Sequence, residues 1–135
     1  MALQLSVAVR NAMLDALETA IGTSAVMKIR TGAAPASVAT ADSGTVLATL
    51  TLPSDWLAAA SSGSKAKSGT WEDASADAAG TAAHYRIYAS DGTTAHLQGT
   101  VTATGGGGDL VVDNAVFAAG QSFSITSYSW TAPNS

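Results

Sequence analysis

Cysteine is absent from this sequence, which excludes disulfides, thiolate metal sites and cysteine nucleophiles, and removes redox chemistry as a guide to compartment. Charge is scarce as well. Six Lys and Arg face ten Asp and Glu, a net charge of −4. The basic residues form no stripe, so binding to nucleic acid is not expected. No apolar run nears the roughly 20 residues that span a bilayer, so no membrane contact is expected either. The opening MALQLSVAVR has no basic region ahead of its apolar residues and does not read as a signal peptide. Large side chains are few: Trp56, Trp71, Trp130, Tyr85, Tyr88, Tyr128, Phe117 and Phe123 carry most of the core-forming area, because much of the apolar content is alanine.

The chain nevertheless has enough apolar residues, 47%, to fold. Its 135 residues suit a single domain spanning 1–135, long enough to bury roughly two-thirds of the unfolded surface. The stretch SVAVRNAMLDALETAIG predicts one helix over about 6–21, capped by Ser6 and ended by Gly22. At helical spacing Val7, Val9, Met13, Leu14, Leu17 and Ile21 share a broad face expected to pack on the core, with Asn11, Asp15 and Glu18 opposite. Arg10 sits inside the apolar arc. It either snorkels from the edge of a packed face or pairs with a carboxylate of a partner chain.

Beyond Gly22 the period changes to two. SAVMKIRTG and GTVLATLTLP alternate as strands, the second stopped by Pro53. SDWLAAA suits a short helical turn capped by Ser54, and the Ser/Gly/Lys stretch 61–69 a loop. Further strands are expected near 69–75, 81–89, 94–103, 109–113 and 121–131, separated by turn residues in the rhythm of a β-sandwich or barrel. In the hairpin around SDGT the apolar faces match only when Ile87 lies opposite Leu97. That register sets His84 opposite Thr100 and His96 opposite Tyr88 on the outer face, with the histidines roughly 13 Å apart. They are then two surface histidines that share no metal.

Glycines 105–108 in TATGGGGDLVVDN lead into a β-branched segment, not a helix, and no lysine follows. A phosphate-binding loop needs that helix N-terminus, so the run is expected only to turn a corner, as the tip of a hairpin. SGSK, KSG and SDG echo serine β-lactamase motifs in the wrong order. DASAD opens like a calcium loop, but Ala78 replaces its glycine and His84 stands where its final acid belongs. No catalytic constellation, metal site or cofactor is expected, and the chain does not read as an enzyme.

In QSFSITSYSWT, Phe123 and Ile125 share one parity and Tyr128 and Trp130 the other. Either a bulge near Thr126–Ser127 returns all four to the core, or Tyr128 and Trp130 lie on an outer surface that another subunit covers. These two, with Arg10, are the candidate interaction residues. The segments LSVAVRNAMLDALETAIG, ADAAGTAAHYRIY, QGTVTATGGGGDLVVDN and FAAGQSFSITSYSWT resemble the capsid cementing, or decoration, proteins of tailed bacteriophages over nearly the whole chain. That resemblance implies a mainly β fold: a jelly-roll-like, two-sheet antiparallel sandwich with one N-terminal helix. It further implies a virion protein on the capsid exterior that braces neighbouring major capsid subunits as a homodimer or higher oligomer, with no catalytic motif. A tail- or fibre-associated virion protein and a carbohydrate-binding β-sandwich are the alternatives.

Overall fold

The first helix forms where its caps stand. Ser6 Oγ accepts the Val9 N–H at 3.2 Å, and Gly22, at φ +93°, ends the helix with its own N–H on the Glu18 carbonyl. In the computed structural model, which describes residues 3–132, this is α1 (Val7–Ile21). Strands follow in the order β1 (Val26–Arg30), β2 (Val46–Thr51), β3 (Ser64–Ala66), β4 (Trp71–Asp73), β5 (Gly80–Thr81), β6 (His84–Tyr88), β7 (Ala95–Ala103), β8 (Leu110–Val112), β9 (Val116–Phe117), β10 (Phe123–Ile125) and β11 (Ser129–Thr131). The described residues are therefore mainly β, with one helix.

Five strands form a sheet in the order β2-β1-β6-β7-β8. Three two-stranded ribbons, β4/β10, β3/β11 and β5/β9, are antiparallel. Period-two alternation sends Met27, Ile29, Leu50, Tyr85, Ile87 and Val101 to one buried face of the sheet. Between β1 and β2 the alternation breaks. Ile29 pairs with Ala48 but Arg30 with Val46, so Leu47 is the extra residue of a bulge. It turns inward beside Gly80 and is fully buried.

The hairpin register holds at Ile87–Leu97 and at His84–Thr100. It then slips, so Tyr88 pairs with Ala95 and His96 falls in the irregularity instead of facing Tyr88. His84 is not a surface histidine: it is fully buried, as are Arg86 and Tyr88 on the same face. The reason is the irregular segment 32–44, which lies across that face. Its Gly32 carbonyl accepts from His84 Nδ1 at 2.7 Å, its Pro35 carbonyl from Gln98 Nε2 at 2.8 Å, and its Ser37 and Thr40 carbonyls from Arg86 Nη2.

Four other local expectations change. SDWLAAA forms no helical turn; Ser54 and Asp55 form a bend, Trp56 and Leu57 are buried, and Leu57 is bridged to Lys67. The stretch 61–69 contains β3, and the final strand divides into β10 and β11 in different ribbons. The glycine run does turn a corner, but β7 and β8 lie parallel, so it is no hairpin tip. Parallel neighbours normally need a crossover of a dozen or more residues. Here the chain doubles back between Ala103 and Leu110, and a Cβ at Gly106 or Gly108 would meet the Thr102 side chain at 2.6 or 2.9 Å. Glycine is required because the backbone folds against its own preceding strand.

The helix docks the other way round from its hydrophobic pattern. Leu14 and Ile21 are buried, yet Val7, Val9, Met13 and Leu17 are exposed. Its polar side faces the protein. Asn11 Oδ1 accepts the Gly63 N–H at 2.9 Å, Asp15 Oδ1 accepts the Ala60 N–H at 3.1 Å, and both Asp15 and Glu18 reach Lys65.

Two stability measurements follow. Leu14→Ala should cost about 2–4 kcal/mol in chemical denaturation, whereas Leu17→Ala should cost less than about 1 kcal/mol; equal costs would contradict this docking. Gly99→Ala should cost about 1–3 kcal/mol through overpacking, because its Cβ would lie 2.8 Å from the ring and hydroxyl of Tyr85, itself held by Tyr128.

Candidate interaction surface

The break between β10 and β11 decides where the last aromatics go. Phe123 and Ile125 enter the core from β10, and after Thr126–Ser127 the chain pairs with β3 instead of β4. Tyr128 then also turns inward and is only 6% exposed. Its hydroxyl accepts from Trp130 Nε1–H at 2.6 Å and shares a hydrogen bond of 2.6 Å with the Tyr85 hydroxyl. Its ring packs at 5.5 Å on Trp71 and edge-on at 5.7 Å on Tyr85, within the preferred range for aromatic pairs. Burial pushes the Tyr85 and Tyr128 hydroxyls above the ordinary tyrosine range, so both stay protonated. Tyr128 thus offers a partner almost no surface. Trp130 packs edge-on against Trp56 and keeps one half-exposed side.

Arg10 does not snorkel into solvent. Its Nε and Nη2 both donate to the Ala132 carbonyl, at 3.3 and 3.0 Å. Gly63 makes room for it: a Cβ there would lie 2.3 Å from the guanidinium carbon. Arg10 therefore ties the helix to the chain just past β11. The three candidate residues gather around that segment, Tyr128 beneath it, Trp130 on it and Arg10 at its end.

Beside Tyr128 the surface opens into two adjoining grooves that share Asp109, Tyr128 and Ser129. One, of about 450 Å³, is bordered by Lys67, Val111 and Thr126. The other, of about 320 Å³, is bordered by Leu97, Gln98 and Trp130. Val111 belongs to β8, an edge strand of the five-stranded sheet, and is 41% exposed. An unpaired strand edge with an apolar side chain and an aromatic neighbour is suited to receiving another chain.

Charge is concentrated in two buried clusters that the alternation pattern alone does not reveal. On the covered face of the sheet, Asp42 of segment 32–44 accepts from Arg30 Nη2 at 3.0 Å, Arg86 Nη1 at 2.8 Å and the Tyr88 hydroxyl at 2.8 Å. Burial pushes its carboxyl up, but the hydrogen bonds from Tyr88 and Arg86 and the charge of Arg30 outweigh it and hold the carboxyl below its ordinary value. The second cluster is Lys65 Nζ, between Asp15 at 2.7 Å and Glu18 at 2.8 Å, with the Ala58 carbonyl also at 2.8 Å. The alternation placed His84 and Arg86 on one face of their hairpin, and the pairing of β1 with β6 brings Lys28 and Arg30 beside them. It gave no sign that Asp42, in an irregular segment, would close over them.

The carboxylates of DASAD are taken up within the fold: Asp73 accepts the N–H groups of Thr49 and Ser75, and Asp77 accepts the Thr49 hydroxyl. Among the described residues no group of His, Asp and Glu is arranged to hold a metal ion. Comparisons of the chain with protein families, with curated proteins and with solved structures return no match.

Asp42→Asn removes the shared anion and leaves two buried guanidinium groups without it. The carboxylate is 37% exposed, so the expected cost is about 2–3 kcal/mol, short of the about 3–5 of a fully buried pair. Because the folded state holds this carboxyl below its ordinary 3.8, its contribution is whole above that pH and is lost as pH falls through the lower folded-state value. The wild type should therefore lose stability on acidification below about pH 4, and Asp42→Asn should flatten that loss. Denaturant midpoints measured between pH 6 and pH 2.5 check both.

Proposed function

We propose that this chain is a structural virion protein that binds the outside of a tailed-phage capsid and cements neighbouring major capsid subunits. The observation that carries the proposal is the edge strand β8, with Val111 exposed in the groove that Tyr128 borders. A contact built from a strand edge and apolar side chains suits a protein with few charges to offer, and the resemblance of its helix, glycine-run and C-terminal segments to cementing proteins supplies the partner. Such a protein needs only modest affinity per copy, because contacts repeated over a lattice add by avidity. Binding to the intact shell alone stabilises that shell by linkage.

The finer architecture belongs to the same proposal. The ribbons β3/β11 and β4/β10 would form the second layer of a β-sandwich, opposite the five-stranded sheet. Supporting this, Tyr85 of the sheet meets Tyr128 between the ribbons, and one core cluster holds Met27, Ile29 and Leu50 together with Trp71, Phe123 and Ile125. One observation favours a second reading, a carbohydrate-binding module: the half-exposed Trp130 shares its groove with Gln98 and Asp109, an aromatic face beside polar side chains.

The test is stoichiometric. Mixed with capsids lacking decoration, the chain should bind at many copies per particle and raise the temperature at which the shell dissociates. Val111→Glu should weaken occupancy by about tenfold or more while leaving the melting of the isolated protein unchanged. A handful of copies per particle would point to a tail or fibre component. Glycan binding without capsid binding would establish the second reading.

A further inference from the structure

The irregular segment 32–44 covers part of the five-stranded sheet without burying any of its own side chains. Each of its residues is exposed or half-buried, while Arg30, His84, Arg86 and Tyr88 beneath it are buried. It is held by hydrogen bonds and by Asp42, its one charged residue. A cover held in that way, with little apolar area, opens far more readily than the core.

Asp42 occupies a formed receptor. Its Oδ1 accepts from Arg86 Nη1 and the Tyr88 hydroxyl, both at 2.8 Å, and its Oδ2 from Arg30 Nη2 at 3.0 Å. Two guanidinium groups and a hydroxyl thus converge on the two oxygens of one planar carboxylate.

The fit is partial. The Nε–H of an arginine and an N–H of Nη2 form a side fork that one carboxylate can take with both oxygens. Asp42 takes the Nη2 arm of Arg30, while Nε is buried with no hydrogen-bond partner among the described residues. Opposite Arg30 on β6 stands His84. Its Nδ1 bonds the Gly32 carbonyl and so carries the proton, which leaves Nε2 an acceptor, also buried and unpartnered. Charge is unmatched too. Lys28, whose ammonium stands 5.0 Å from the centre of the Tyr88 ring, shares the face with Arg30 and Arg86. The segment brings one carboxylate to these three cations.

We propose that the face formed by Arg30, Arg86 and Tyr88 is a binding site for a carboxylate side chain on an acidic segment of another protein, and that Asp42 holds it as a tethered stand-in. The positive excess selects an acidic partner, as arginine clusters do elsewhere. The spare donor on Arg30 beside the spare acceptor on His84 selects a peptide over a simple anion, because a peptide brings backbone N–H groups along with its carboxylate. Tethering gives Asp42 a local concentration on the order of millimolar. A free segment displaces it by making what Asp42 does not: the second arm of the Arg30 fork and a contact with Lys28. None of Arg30, Arg86 and Tyr88 borders the grooves beside Tyr128, and the test needs no capsid, so its failure would leave the proposed function standing.

The probe is a blocked peptide with the segment's own sequence over residues 37–44, SVATADSG, titrated into the full chain. It should bind Asp42→Asn at least about tenfold more tightly than wild type, whose own carboxylate competes for the site. Binding should move the magnetic resonance signal of the Arg30 Nε–H, identified by its loss in Arg30→Lys. The same peptide with Asn in place of its Asp should bind neither chain. Arg30→Lys added to Asp42→Asn keeps the charge but not the fork, and should weaken binding by about tenfold. If Asp42→Asn does not fold, Asp42→Ser, which also removes the carboxylate, takes its place. Equal affinity for wild type and Asp42→Asn overturns the inference, as does equal binding of the two peptides. So does a lysine variant that binds undiminished, or no binding to Asp42→Asn at peptide concentrations on the order of millimolar.

Discussion

One ammonium group fixes which way the helix faces. Lys65 is 2% exposed, and a cation so far from water persists only with partners around it. It has three: Asp15, Glu18 and the Ala58 carbonyl. Burial alone would lower its pKa, but the hydrogen bonds it donates to Asp15 and Glu18 and their charges raise it, so the group stays charged. Two of those partners lie one turn apart on α1, which can satisfy Lys65 only by turning its acidic side toward β3. Asn11 follows on the same side, onto the Gly63 N–H, and Arg10 reaches Ala132. Once these contacts are made, the helix cannot also bury Val9, Met13 and Leu17.

Such a docking is not the most stable arrangement available to a helix. Replacing buried ion pairs by apolar residues of similar volume is often neutral or stabilising. What charged docking supplies is a single rotational setting, because a helix turned by one residue would strand Lys65. The covered face of the sheet repeats the principle. Arg30 and Arg86 share Asp42, and segment 32–44 is laid across β6 by carbonyls that accept from Arg86, His84 and Gln98. In that second cluster the satisfaction is incomplete, for Arg30 Nε and His84 Nε2 are buried with no hydrogen-bond partner among the described residues. Both clusters hold an irregular or amphipathic segment in place by direction rather than by area, which suits a chain whose apolar content is largely alanine.

This also explains what could and could not be seen in the sequence. Period-two alternation found β1, β2, β6 and β7, and matching apolar faces found the Ile87–Leu97 register, because those signals are local or nearly so. Ser6 and Gly22 marked the helix ends for the same reason. The helix docking was misread because a hydrophobic arc is taken to point at the core, and nothing local says that a lysine in a Ser/Gly-rich stretch will claim the acidic side. Likewise His84, Arg86 and Tyr88 were assigned to one face correctly, but that face is closed by a segment without periodicity. The candidate site was legible in part: Tyr128 and Trp130 do lie together, yet the division of the last strand between two ribbons, which buries Tyr128, depends on pairing partners far away in sequence. The parallel return at Gly105–Gly108 left a compositional mark, four glycines, whose direction only the paired strand could show.

The two clusters and the glycine return have a shared consequence for the surface. Polar groups normally keep a small protein's exterior wet, but here many of them face inward, on Lys65, on Asp42 or on the backbone of β2. The outside retains apolar side chains at several places, among them Val9, Met13 and Leu17 on α1, Val111 on the β8 edge and Val116 on β9. A monomer gains nothing from any of them, since exposed apolar area adds no folding free energy and invites association. Each becomes favourable only when another chain covers it, and the hydrophobic gain then appears as binding, not as folding. Internal polar docking and external apolar surface are thus two sides of one arrangement: charges that fix the helix and the sheet cover leave the apolar contacts to be completed between molecules.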